Sequence, residues 1–60
     1  MGMSFIGIKR EDVIVLCNDE GIVVRIAKIN GKPMVLTRDY KPERLNLEIE
    51  NDIVVETYYG

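Results

Sequence analysis

From Arg44 to Glu50 the chain alternates polar and apolar residues without a break: Leu45, Leu47 and Ile49 fall on one side, Arg44, Asn46, Glu48 and Glu50 on the other. Successive side chains of a strand point to opposite faces, so this stretch spells a strand with one face in a core. Asn51-Asp52 follows, a pair suited to a two-residue turn. After it comes Ile53-Val54-Val55-Glu56-Thr57-Tyr58, whose β-branched and aromatic side chains fit a second strand. A hairpin with one greasy face is therefore the anchor of the fold, and residues 1–43 must supply what covers it.

Upstream, Ile22 to Ile29 is a third β-rich run, apolar on both faces as an interior strand is, and Asn30-Gly31 ends it. Between Lys32 and Glu43 the signals mix. Met34-Val35-Leu36 is strand-like, Asp39 follows closely, and Pro42 cannot donate to a ladder. If Asn30-Gly31 makes a tight turn, residues 33–39 pair back on 22–29 as a hairpin; otherwise they arch away as a crossing loop. Both arrangements fit the residues. Arg10 to Glu20 reads as a short helix, with Val13, Leu16 and Cys17 at helical spacing, Glu11 and Asp12 at its start and Gly21 just past its end. Such a helix would cover the open face of the sheet. The expected class is α+β: one short helix on a small mixed sheet, with an extended loop or hairpin before the third strand.

Sixty residues make one domain, 1–60, with Met1 and Gly2 read as a cloning remnant. A chain of this size buries only about 60% of the surface its unfolded form exposes, so a large internal substrate cavity is not expected. One cysteine, Cys17, and no histidine exclude an intrachain disulfide, a Cys/His zinc site and any imidazole base. The expectation is a binding module rather than an enzyme, with no metal and no cofactor. No apolar run approaches the ~20 residues of a membrane span. That and the unpaired thiol suggest a cytoplasmic protein without a membrane partner.

The net charge of −2 is unevenly spread. Residues 25–44 carry Arg25, Lys28, Lys32, Arg38, Lys41 and Arg44 against Asp39 and Glu43, while both flanks are acidic. The basic island suits phosphates or an acidic protein pocket. The flanking acids weaken any general attraction to nucleic acid, which ranks third among partners.

The run Thr37-Arg38-Asp39-Tyr40-Lys41-Pro42-Glu43-Arg44-Leu45-Asn46-Leu47 resembles the reactive loop and following strand of potato inhibitor I type serine-protease inhibitors, the bacterial branch in particular. That branch runs Thr, a variable residue, Asp, an aromatic, a basic residue, Pro, a small or acidic residue, Arg, an aliphatic, Asn and another aliphatic, and usually ends in Gly, as Gly60 does here. The resemblance is specific over residues 37–60 and loose over 22–36. It implies a helix on a small sheet with an extended loop of Leu36, Thr37, Arg38, Asp39 and Tyr40 offered to a protease. Arg38 would fill the specificity pocket of a trypsin-like enzyme, and Arg44, Asn46 and Gly60 would support the loop. Eglin-like members carry a second arginine where Asn46 stands.

On a strand Arg44 and Asn46 share a face opposite Leu45 and Leu47, so both can lie beneath an arching loop. The Arg44 guanidinium is expected to bond the Asp39 carboxylate and the Thr37 hydroxyl on either side of Arg38. The alternative is a non-inhibitory interaction module on the same scaffold, forming a homodimer through the apolar edge around Met34-Val35-Leu36.

Overall fold

A computed structural model describes residues 4–60; the reading of Met1 and Gly2 lies outside them. One helix, α1 (Arg10–Asp19), precedes four strands: β1 (Val24–Ile29), β2 (Lys32–Pro33), β3 (Leu45–Glu50) and β4 (Ile53–Tyr59). They form one sheet in the order β2-β1-β3-β4. β1 runs antiparallel to β2 and parallel to β3, and β3 runs antiparallel to β4. The expected α+β class holds, with a helix packed on a mixed sheet.

The apolar alternation of β3 builds the core. Leu45, Leu47 and Ile49 are buried together with Val54 of β4, and α1 lays Val13 and Cys17 over them. Val13 and Cys17 are one helical turn apart, which puts both on the sheet side. Leu16, expected on that stripe, lies at the surface instead. Phe5, Ile8, Ile22, Val24, Ile26 and Ile29 close the margins. The Cys17 thiol is a small buried hydrophobe, and burial pushes its pKa up.

Backbone bonds end the helix cleanly. Gly21, at φ +73°, lets its own N–H donate to the Asn18 carbonyl and the Ile22 N–H donate to the Cys17 carbonyl. This double bond pattern satisfies the last carbonyls and turns Ile22 back onto the core. At the other end the chain enters along the outer side of β4: the Gly7 N–H donates to the Val54 carbonyl, the Val54 N–H to Ile8 and the Arg10 N–H to Asp52.

The two open alternatives for residues 33–39 resolve into a mixture. Asn30 and Gly31 both have positive φ, the conformation a tight hairpin turn needs, so the chain does reverse after β1. The reversal pairs only Lys28 with Pro33 and Ile29 with Lys32, and the last hold is the Met34 N–H donating to the Ala27 carbonyl. From there residues 35–44 leave the sheet as an arch. The reason is topological. β3 is parallel to β1, so the chain must travel back along β1 and start β3 beside Val24, where the Leu45 N–H donates to the Val23 carbonyl. A full hairpin would place the chain on the wrong side of β1 to do so.

Candidate functional site

The arch is solvent-exposed from Met34 to Glu43 except at Leu36, which is half-buried. Arg38 stands on its crest, exposed, and its guanidinium makes no ion pair among the described residues. What lies beneath is the opposite of exposed. Arg44 is only 7% accessible and Asn46 is fully buried, so a cation and an amide sit where apolar side chains would be cheaper. Each of their side-chain nitrogens and oxygens has a partner, and no buried side-chain nitrogen or oxygen among the described residues lacks one.

Arg44 spends its fork in two directions. Its Nε–H donates to the Gly60 carbonyl at 3.0 Å, Nη2 donates to the Asp39 carbonyl at 2.8 Å, and Nη1 reaches the Asp39 carboxylate at 3.5 Å. The Gly60 N–H returns a bond to the Arg44 carbonyl at 3.0 Å. Gly60 thereby locks to Arg44 in both directions, and a Cβ there would lie 3.5 Å from the Tyr40 ring. The ring of Tyr40, just beyond Asp39, thus rests beside Gly60, the residue that follows β4.

Thr37 is held by a residue the sequence did not single out for support. Arg25 of β1 donates from Nη1 to the Thr37 hydroxyl at 3.3 Å and from Nε to the Asn46 carbonyl oxygen Oδ1 at 2.7 Å. Asn46 in turn donates from Nδ2 to the carbonyls of Tyr58 at 3.3 Å and Gly60 at 3.2 Å. The expectation that Arg44 bonds Thr37 is therefore corrected: Arg44 serves the Asp39 side alone, and Arg25 serves the Thr37 side. Arg25 and Asn46 are direct partners in the parallel register, which is what brings that guanidinium under the loop. A second arginine thus lies beneath the arch, arriving from β1 while Asn46 receives it.

Asp39 gathers positive charge. Its carboxyl is held below the usual carboxylate range first by a hydrogen bond from the Thr37 hydroxyl, then by the Arg44 and Lys41 cations; partial desolvation works against them. Lys41 lies 3.7 Å from the carboxylate. The Thr37 hydroxyl accepts from Arg25 and donates to Asp39, linking the two residues that flank Arg38. The arrangement ties Thr37 and Asp39, on either side of Arg38, to Arg25 of β1 and to Arg44.

No protein-family model matches the chain. Over 35 residues, 58% of its length, it is 43% identical to a protein of Acanthamoeba polyphaga mimivirus named Uncharacterized protein R610. The matched stretch is 10% of that viral protein, so the chain spans only a small part of the relative. The relative's name attaches no activity to the match. Among the described residues no helix is long and apolar enough to cross a membrane.

Proposed function

We propose that this protein is a substrate-like inhibitor of trypsin-type serine proteases, built on the potato inhibitor I plan, with Arg38 as the side chain that enters the specificity pocket. The observation that carries the reading is the tethering of Thr37 and Asp39, the two neighbours of an exposed arginine that makes no ion pair among the described residues, to a buried network. A free loop loses conformational freedom when it docks. A loop already held extended loses little, so more of its contact energy appears as affinity. A trypsin-like pocket has a carboxylate at its base and matches a guanidinium, whereas chymotrypsin-like pockets are apolar.

Titration of trypsin tests this. Inhibition should be tight and competitive, complete at an inhibitor concentration of about 1 μM, and subtilisin should be affected far less. Arg38→Ala should abolish trypsin binding and leave the melting temperature unchanged, since the crest side chain is exposed and makes no ion pair among the described residues. Full trypsin activity at micromolar protein, with the chain intact on a gel, overturns the assignment.

A second reading keeps the scaffold and drops inhibition, making the protein a self-associating interaction module. The edge expected around Met34-Val35-Leu36 lies in the arch, outside any strand, and the support is instead the outer side of β4: the entering chain covers residues 52–54, but no described backbone bond covers Val55 to Tyr59, and Tyr58 and Tyr59 are exposed there. A dimer mass by light scattering together with unimpaired trypsin would favour it.

A further inference from the structure

We propose that Arg25 is the positioning residue for the Thr37 side of the Arg38–Asp39 bond and that, through Asn46, it clasps the two halves of the loop to each other; this rests on the inhibitor reading above. The argument starts from where each bond runs relative to that peptide link. Every side-chain bond of Arg44 ends on Asp39 or Gly60. Donor and acceptors all lie on the C-terminal side of the link, so Arg44 fixes Asp39 to β3 and Gly60 but makes no direct side-chain bond to a residue that precedes Arg38. Thr37 lies on the other side; its hydroxyl meets the Asp39 carboxylate within the loop itself, and the side chain that reaches it from the sheet is Arg25.

Hydrogen bonds therefore run in one chain from Thr37 to Arg25, to Asn46, to Gly60, to Arg44 and to Asp39. Within that chain a single step passes from residues before the link to residues after it: the Arg25 Nε–H bond to Asn46 Oδ1, at 2.7 Å its shortest. The donor and acceptor are register partners of parallel β1 and β3, and Asn46 is fully buried, so backbone pairing delivers the contact.

The chemistry needs that step. When the enzyme's serine oxygen attacks the Arg38 carbonyl, an ester forms to Arg38, the Arg38–Asp39 C–N bond breaks, and the Asp39 nitrogen leaves as an amine carrying a proton from the enzyme's general acid. Re-ligation reverses this: the Asp39 amine attacks the ester carbon and expels the serine oxygen, which takes back a proton. It wins over hydrolysis only while the amine stays beside the ester, and effective concentration falls steeply with misplacement. Arg44 can hold the amine; Arg25, through Asn46, holds the ester-bearing half to the same frame.

The test compares the wild type with Arg25→Met, which keeps the apolar stem, with Thr37→Val, and with the double variant. In the free proteins, backbone order parameters for residues 37–39 should fall from about 0.85 to below about 0.6 in Arg25→Met, with β3 unchanged. Against trypsin, early inhibition should persist, but cutting between Arg38 and Asp39, followed by intact mass, should be at least about tenfold faster. Thr37→Val should show part of the same change, and adding Arg25→Met should then do less than it does alone. Unchanged loop order and cutting rate in Arg25→Met, or fully independent effects in the double variant, overturn the proposal. If the wild type leaves trypsin active, the inhibitor reading fails, while the order parameters still decide whether Arg25 holds the loop. If Arg25→Met does not fold, Arg25→Gln keeps a donor for Asn46 and loses the reach to Thr37; loosened residues 37–39 with an unchanged melting temperature support the assignment, and an unchanged loop refutes it.

Discussion

Asp39 is where the loop's charges converge, and acid should undo it selectively. Its folded pKa is depressed, so the stabilisation from its carboxylate is complete above the unfolded value of about 3.9 and is lost as pH falls through the lower folded value. Below that point the Arg44 Nη1 and Lys41 contacts lose their partner, while the Arg44 bond to the Asp39 carbonyl survives because a carbonyl does not titrate. Loop amides of residues 37–40 should therefore shift with an apparent pKa below 3.9, and Asp39→Asn should remove that transition without changing the rest of the spectrum. An unaltered titration in Asp39→Asn would assign the transition to another carboxylate. Arg44 as a support could be read from the alternation in its own strand, because alternation fixes which face a residue takes. Arg25 could not be read in the same way. Its role depends on which residue of which other strand lies opposite, and nothing local to Ile22–Ile29 specifies a parallel partner some twenty residues away.

At the scale of elements, the pieces with strong local chemistry were readable and the one without was not. β3, the Asn51-Asp52 turn and β4 follow from alternation and from residues that tolerate positive φ, and both turn residues adopt it. α1 follows from its flanks more than from its interior, where three β-branched residues oppose a helix. Gly21 is the decisive flank. A Cβ at Gly21 meets nothing within 4 Å, so Gly21→Ala carries the backbone cost of φ +73° alone, about 1–2 kcal/mol. For a domain this small each kcal/mol lowers the melting temperature by about 4–8 °C. Calorimetry should show that fall with the strand signals at low temperature unchanged; a variant as stable as wild type would mean the helix end does not depend on this cap. Residues 32–36 carried a genuine turn signal and a genuine strand signal, yet β2 stops at Pro33. The demand that β3 start beside Val24 overrides the local preference, and that demand is visible only once the sheet order is known.

For the molecule as a whole, the sheet works as a frame with unlike ends. One end carries the Asn30-Gly31 and Asn51-Asp52 turns, tied to each other by the Asn51 N–H donating to Asn30 Oδ1 at 2.9 Å. The other end carries the arch. The basic island read from the sequence splits between these places: Lys28 pairs with Glu48 in the sheet, Arg25 and Arg44 point beneath the loop, and Arg38 stands on its crest. One stretch of positive charge thus serves both the brace and the surface it holds up, which a sum of charges along the chain cannot distinguish.

The parallel pairing of β1 with β3 also sets an order of events in time. The bonds beneath the arch join groups that meet only after the chain has closed the long excursion between those strands, whereas α1 and the β3–β4 hairpin need only local contacts. Closing a long loop costs entropy before any contact rewards it, so the network under Arg38 should assemble on the downhill side of the folding barrier. Arg44→Ala removes bonds from a buried cation worth about 1.5–3 kcal/mol, enough for a kinetic assignment. In a denaturant series it should leave the refolding arm nearly in place and raise the unfolding rate by about 10- to 100-fold. A slowed refolding arm would put the brace in the nucleus instead. With the refolding arm in place and unfolding faster, the support under the arch is a latch that closes last and, while shut, lengthens the lifetime of the folded state.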